Sequence, residues 1–324
     1  MLTMGSDKQI SIRIWGVRGS SPHPSEEYLR FGGNTSCISV ETEAAFIVFD
    51  AGTGFSEFGR WYVRRGDFKP VHLFISHTHM DHILGLYQSP VCFNRNVRLF
   101  IYGEDKNGMS IEAQIGTAFS PHLWPVAPGM MQAHMEFVPV SQGDCLIMAD
   151  PERHFIACGE AVHNRKIDAC DGALPEKQAC FRYESDRNAA GLDNSVIIKC
   201  VKGFHPGGSL LFRMEKNGRS AVYALDCELF SECAEEELTE AFAGADIIFA
   251  DAAFDCSKID AFRGWGHSSW MEWSQLRRKA GIGRAVMLHY AWDLDDGRLE
   301  EMEKEAAAFD PDCRFAREGD EIWL

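Results

Sequence analysis

Several absences narrow the field. The chain has 11 cysteines, yet no two stand in a CxxC pair. Neither a zinc ribbon nor a thioredoxin-type redox pair is therefore written here, and the odd, scattered thiols suit a reducing cytoplasm. No basic run is present and the formal net charge is −16, which disfavours long nucleic acids as partners. The opening "MLTMGSDKQISIRI" lacks a basic segment followed by an apolar core, so no signal peptide is expected. No apolar run approaches membrane-spanning length. The glycine-rich "FGGNTSC" has no lysine and is not a P-loop. No Pro/Gly/Ser linker and no short-period repeat divides the chain, so residues 1–324 are expected to form one domain.

What is present reads as strands followed by helices. "ISIRIWG", "SCISVET", "AAFIVFD", "VHLFIS" and "VRLFIYG" predict strands in the first half. "SVIIKCVKGFH", "GSLLFRMEKNGRSAVYALD", "ADIIFADAAF" and "GRAVMLHY" predict strands in the second, with Asn217-Gly218 as a hairpin turn. Helices are expected in "MDHILGLYQSPV", "NGMSIEAQIGTAF", "SECAEEELTEAFAG", "SSWMEWSQLRRKAG" and "DDGRLEEMEKEAAAF". Ser269 and Glu272 have the spacing of a capping box. Residues of about 159–202 are turn-rich and mixed in charge, and are expected to form a surface insertion. The pattern suits an α/β (α+β) fold of two packed sheets with helices outside.

The densest chemistry lies in "SHTHMDHILG", Ser76 to Gly85. His77 and His79, two apart in an extended segment, face the same way and can bind one ion. Asp81 and His82, where the chain turns into a helix, can serve a second point nearby. Neutral imidazole and carboxylate suit zinc, manganese and iron. With 12 histidines in the chain an isolated one means little; four potential ligands directly behind a strand outweigh a merely solvated turn.

This HxHxDH motif resembles the signature of the metallo-β-lactamase-fold hydrolases. "GVRGSSP", "FGGNTSC", "DAGTG", "HPGGSLLFR", "YALDCE", "GWGHSS" and "MLHY" follow in the order of one branch, the phosphodiesterases similar to ribonuclease Z and phosphoribosyl cyclic phosphodiesterase. The resemblance implies a four-layer αββα sandwich and two divalent metal ions, with zinc expected and manganese or iron as alternatives. It implies His77, His79 and His205 at one metal, Asp81, His82 and His289 at the other, and Asp226 bridging both. His163 in "AVHNRK" is a rival third ligand, but His205 is tied to Asp226 by one hairpin. The implied chemistry is attack on phosphorus by a metal-bridging hydroxide, with Asp226, Asp81 and His267 as catalytic residues. His267 stands before the helix capped by Ser269. A phosphate oxygen is expected at that helix N-terminus, with His267 protonating the leaving oxygen. Asp50 and Asp251, each ending an apolar strand, are expected to orient ligand histidines, or else to be plain turn residues. Asn34 and Ser209 are candidates to support the ligands or touch substrate.

A small anionic phosphodiester, a cyclic nucleotide or cyclic phosphate, is the expected substrate. In the insertion, Arg165, Lys166, Lys177 and Arg182 mix with Asp168, Asp171, Glu176 and Glu184 rather than forming a basic RNA-clasping arm. A ribonuclease Z-like RNA phosphodiesterase, a lactone or thioester hydrolase and a non-catalytic metal-bound sensor are the alternatives. Leu225 and Cys227 flank Asp226 where that branch commonly has small hydroxyl residues. A homodimer stays open.

Overall fold

The computed structural model describes residues 10–150, 153–157, 195–229 and 232–324. Strands β1 (Ser11–Gly16), β2 (Cys37–Glu41), β3 (Phe46–Phe49), β4 (Val71–Phe74), β5 (Arg98–Gly103) and β6 (His134–Pro139) build a first sheet, whose edge beyond β1 is the last strand, β15 (Glu321–Trp323). The second sheet runs β14 (Cys313–Phe315), β13 (Arg284–Leu288), β12 (Ile247–Asp251), β11 (Arg219–Ala224), β10 (Ser209–Lys216), β9 (Val196–Gly203), β7 (Cys145–Asp150), β8 (Arg153–Ala157). The two sheets repeat one plan: three antiparallel strands (β1-β2-β3 and β9-β10-β11) continue into parallel ones.

Period-two alternation decides which residues meet. In β3, Ile47 and Phe49 point between the sheets, while Phe46 and Val48 point outward. Phe49 stacks on Tyr223 of the opposite sheet at 5.2 Å and on Phe212 at 5.7 Å. This inter-sheet layer runs directly into the functional site, as described below.

Helices cover both outer faces. On the first sheet, α1 (Gly54–Arg65) buries Phe55, Phe58 and Tyr62, the latter two edge-on to Phe46 at 5.6 Å. Next come α2 (Met80–Ile83), only four residues long, and α3 (Ile111–Ala118). On the second sheet lie α4 (Glu232–Phe242), α5 (Trp270–Ala280) and α6 (Asp296–Phe309). α5 starts at the Ser269/Glu272 capping box and stops at left-handed Gly281, as its sequence implies. Layer order and sheet pairing are those of an αββα sandwich.

Several elements depart from expectation. α1 was not foreseen, because Gly54 and Gly59 lower its helical propensity. Both glycines are packing devices: a Cβ on Gly54 would lie 2.6 Å from the Trp15 backbone, and one on Gly59 2.3 Å from Ser89 Oγ. β6, β7, β8, β14 and β15 also went unread, being short or weakly alternating. Residues 196–202, which the sequence reads both as a strand and as the end of the insertion, form β9 in the interior of the second sheet, so only the insertion's end is shortened. The rest of that segment, His163 included, lies outside the described residues.

Candidate metal centre

The site forms where chain segments leave the strand ends of both sheets. Past β4 the backbone stays extended through His77 and His79, then enters α2, whose first turn presents Asp81 and His82. His205 follows β9, Asp226 follows β11 and His289 follows β13. Asp50, Asp226 and His289 all have left-handed φ, at 58°, 55° and 62°, a conformation non-glycine residues adopt at a cost of about 1–3 kcal/mol each. Ser20, at φ 62°, makes a fourth.

The structure brings together His77, His79, His205, Asp81, His82, His289 and Asp226. Three groups among them, His77/His79/His205, His77/His82/Asp226 and Asp81/His82/His289, each have ligand atoms within 4.8 Å of one another; His205/Asp226/His267 makes a further such group. His79 Nδ1 stands 2.9 Å from His77 Nε2 and 3.1 Å from His205 Nε2. His82 Nε2 lies 3.2 Å from Asp81 Oδ2 and 3.1 Å from Asp226 Oδ2; His289 Nε2 lies 3.3 Å from Asp226 Oδ1.

Hydrogen bonds on the far side of each ring fix what faces inward. Ser76 Oγ donates its one proton to Asp50, so it accepts from His77 Nδ1 at 3.1 Å. Ser36 Oγ donates to the Arg18 carbonyl, so it accepts from His289 Nδ1 at 3.0 Å. His205 Nδ1 donates to the Gly266 carbonyl at 3.0 Å, and His82 Nδ1 to Asp50 Oδ2 at 2.7 Å. In His77, His205 and His289 this leaves Nε2 as a lone-pair donor turned toward the cluster, and His82 turns its Nε2 the same way. His82 Nε2 and Asp226 Oδ2 are buried without any hydrogen-bond partner despite their proximity. Converging lone pairs and orphaned buried atoms are what a cation would satisfy, so the residues fit a metal.

The electrostatics agree. Burial pushes His77 and His289 down, favouring neutral imidazole. Burial would also raise Asp226, but His289, His82 and His77 outweigh it and hold the carboxylate well below its usual range. His82 is the counter-case: burial opposes its charge, yet Asp81, Asp226 and Asp50 hold it well above the ordinary imidazole value. A metal there must displace a proton.

The supporting residues differ in role. Asp50, fully buried, accepts from Ser76 N, Ser76 Oγ, His82 Nδ1 and the Tyr223 hydroxyl, all at 2.7–2.8 Å. Tyr223 is the residue stacked on Phe49, so the core layer ends in a hydrogen bond to the carboxylate behind His82. Asp251 stands behind His267, 3.3 Å from its Nδ1, and behind none of the expected ligands. Ser209 Oγ holds the Asp226 carbonyl at 2.8 Å. Asn34 bonds Thr53 and Glu318 and faces a neighbouring groove of about 580 Å³ that also contains Met80, away from the metal cleft. The start of α5 is partly engaged already. Ser268 N donates to Asp251, Ser269 N to Glu272, and Glu272 N to Ser269 Oγ. The His267 side chain reaches the cleft, with Asp251 and Asp226 outweighing burial to hold its imidazole up at about 9.

The cleft, about 330 Å³, is lined by Ser20, His79, Asp81, His205, Pro206, Asp226, Gly264, Trp265, His267 and His289. Sequence reasoning passed over Ser20, whose N–H donates to Asp81 at 2.8 Å, and over Ser36, Ser76, Tyr223 and Glu228. For Ser20 and Ser36 the signal was the glycine motif beside each. A Cβ on Gly19 would sit 2.5 Å from the His289 ring, and one on Gly266 2.2 Å from His205 Nδ1. "GVRGSSP" and "GWGHSS" are glycine-rich partly because ligand rings lie against them.

Comparison with known proteins agrees with this geometry. Residues 30–90 match the Metallo-beta-lactamase superfamily model. Ribonuclease Z of Haloarcula marismortui is 23% identical over 298 residues, covering 88% of this chain and 90% of that protein. The metallo-beta-lactamase fold protein YhfI from Bacillus subtilis superposes with a TM-score of 0.62 at 14% identity, covering 97% of this chain and 99% of the other. A diphosphatase from the PhnP family superposes at 0.58 and 16% identity, covering 98% and 97%. The chain thus has the metallo-β-lactamase fold, and its resemblance to ribonuclease Z extends along nearly its whole length.

Proposed function

We propose that this chain is a metal-dependent phosphodiesterase that holds two divalent ions, zinc first among the candidates, and acts on a small anionic phosphodiester such as a cyclic nucleotide or cyclic phosphate. The observation that carries the reading is Asp226: one buried carboxylate within ligand distance of histidines on both sides, with Oδ2 orphaned. His77, His79 and His205 would hold one ion, Asp81, His82 and His289 the other, and Asp226 both. Divalent ions there acidify water and offset charge on phosphate oxygens. The chain's own part is to orient and to manage protons. Asp50, Ser76 and Ser36 keep the rings in one tautomer. His267 gives Nδ1–H to Asp251, which leaves Nε2 to pass a proton to the leaving oxygen.

A ribonuclease Z-like RNA phosphodiesterase is the second reading, favoured by relatives of that name. Against it stand the net charge of −16 and the missing basic arm. Absence of any helix long and apolar enough to cross a membrane, among the described residues, and the free thiols of Cys37, Cys92 and Cys227 suit a cytoplasmic enzyme. The test is a screen of metal-loaded protein against a generic phosphodiester, cyclic nucleotides, a pre-tRNA and a lactone. Turnover of cyclic nucleotides with little on the pre-tRNA is expected. Activity on the lactone alone sinks the phosphodiesterase reading, and a strong preference for the pre-tRNA replaces it with the second.

A further inference from the structure

Around the metal cleft one broad apolar side chain stands in the open. Trp265 is 58% exposed and lines the cleft beside His205 and His267. A lone exposed tryptophan is ordinary, but this one rests on a built support. Glu228, 3% exposed, spends its carboxylate on the N–H groups of Gly264 and Gly266, at 2.9–3.0 Å. Both glycines are left-handed, at φ 88° and 86°, so Trp265 sits at the crest of a pinned turn. Beneath it Phe254 and Phe262 stack at 4.1 Å, and the indole meets Phe262 edge-on at 5.2 Å. Its N–H backbone donor is closed onto the Phe262 carbonyl at 3.1 Å. The rest of the cleft is imidazole, carboxylate, a serine, a glycine and a proline.

We propose that Trp265 is a stacking platform for a nucleobase, which makes the substrate a nucleotide rather than a plain sugar or alkyl phosphodiester. The inference rests on the phosphodiesterase reading only for where the phosphate sits. With that group at the ligand cluster, the adjoining planar surface suits the π-face of a base, and stacking of this kind accepts any base. The cleft volume lies at the small end of ligand pockets and matches a single nucleotide. The protein's negative charge disfavours a longer polyanion.

The experiment is equilibrium binding of AMP and of ribose 5-phosphate to zinc-loaded protein by calorimetry, with Trp265→Ala and Trp265→Phe. Wild type is expected to prefer AMP by roughly tenfold or more, the scale of one base–aromatic stack. Trp265→Ala should bring that ratio close to one, and Trp265→Phe should keep most of it. Equal binding of the two ligands by wild type, or a ratio unchanged in Trp265→Ala, overturns the platform. Turnover of 2′,3′-cyclic AMP, measured on the same samples, judges the phosphodiesterase reading separately, since binding needs no hydrolysis. An oligoribonucleotide that binds no tighter than AMP supports a free nucleotide as ligand. One that binds far tighter, with steep salt dependence, overturns that assignment in favour of an RNA end.

Discussion

The two ends of the ligand cluster use the same chemistry in different settings. His77, His79 and His205 meet at the open side, where His79 is exposed and His205 half-buried. Asp81, His82 and His289 are all buried, each braced from behind by Ser20 N–H, Asp50 or Ser36. A shared reliance on histidine therefore need not give equal sites. Depth and the second row of hydrogen bonds decide how firmly each group is held. Both groups line the cleft, the open one through His79 and His205 and the buried one through Asp81 and His289, while His82 is sealed in the core.

The sharpest way to break this comparison is to remove what both ends share. Asp226→Ala is expected to lower kcat by roughly a thousandfold or more and to reduce bound metal. Wild-type turnover with full metal content would show that Asp226 is not shared. Next in size, His82→Ala and His79→Ala should separate the ends. After dialysis and elemental analysis, the His82 variant should lack the buried ion and melt lower. The His79 variant should keep that ion and lose only the open one. Equal metal loss in both would erase the distinction. Asp50→Asn should weaken metal binding by about 10–100-fold, read by competition with a chromogenic chelator, because the new amide cannot accept from all of Asp50's donors. The smallest effect is expected from Ser36→Ala: a few-fold faster release from the buried group alone, with the open group's release rate unchanged.

Much of this was legible in the sequence for a definite reason. Four candidate ligands lie within "HTHMDH", and the hairpin at Asn217-Gly218, both residues left-handed, fixes how His205 and Asp226 meet. The αββα layering followed from strands alternating with helices. α1 was not legible, because its two glycines argue against a helix unless one knows that Trp15 and Ser89 press against them. The role of Asp251 was half-read: it does brace a histidine, but His267. Asn34 was placed by its motif, yet its side chain turns to Thr53 and Glu318. At the start of α5 a local feature narrows where a phosphate oxygen could bind. The capping box that made the helix recognisable also engages Ser269 N and Glu272 N, two of the donors at that end.

The left-handed backbone at Ser20, Asp50, Asp226 and His289 has an evolutionary consequence. Each is a conformation that the surrounding core must hold in place, so these positions are where the fold gives up stability for chemistry. A selection for heat resistance alone would favour glycine or asparagine at Asp226, whose buried Oδ2 lacks a partner, whereas Asp50 is held by four hydrogen bonds; it would yield sturdier proteins that bind metal poorly. Variants that keep both properties should instead carry their gains in the two apolar layers, far from the strand ends.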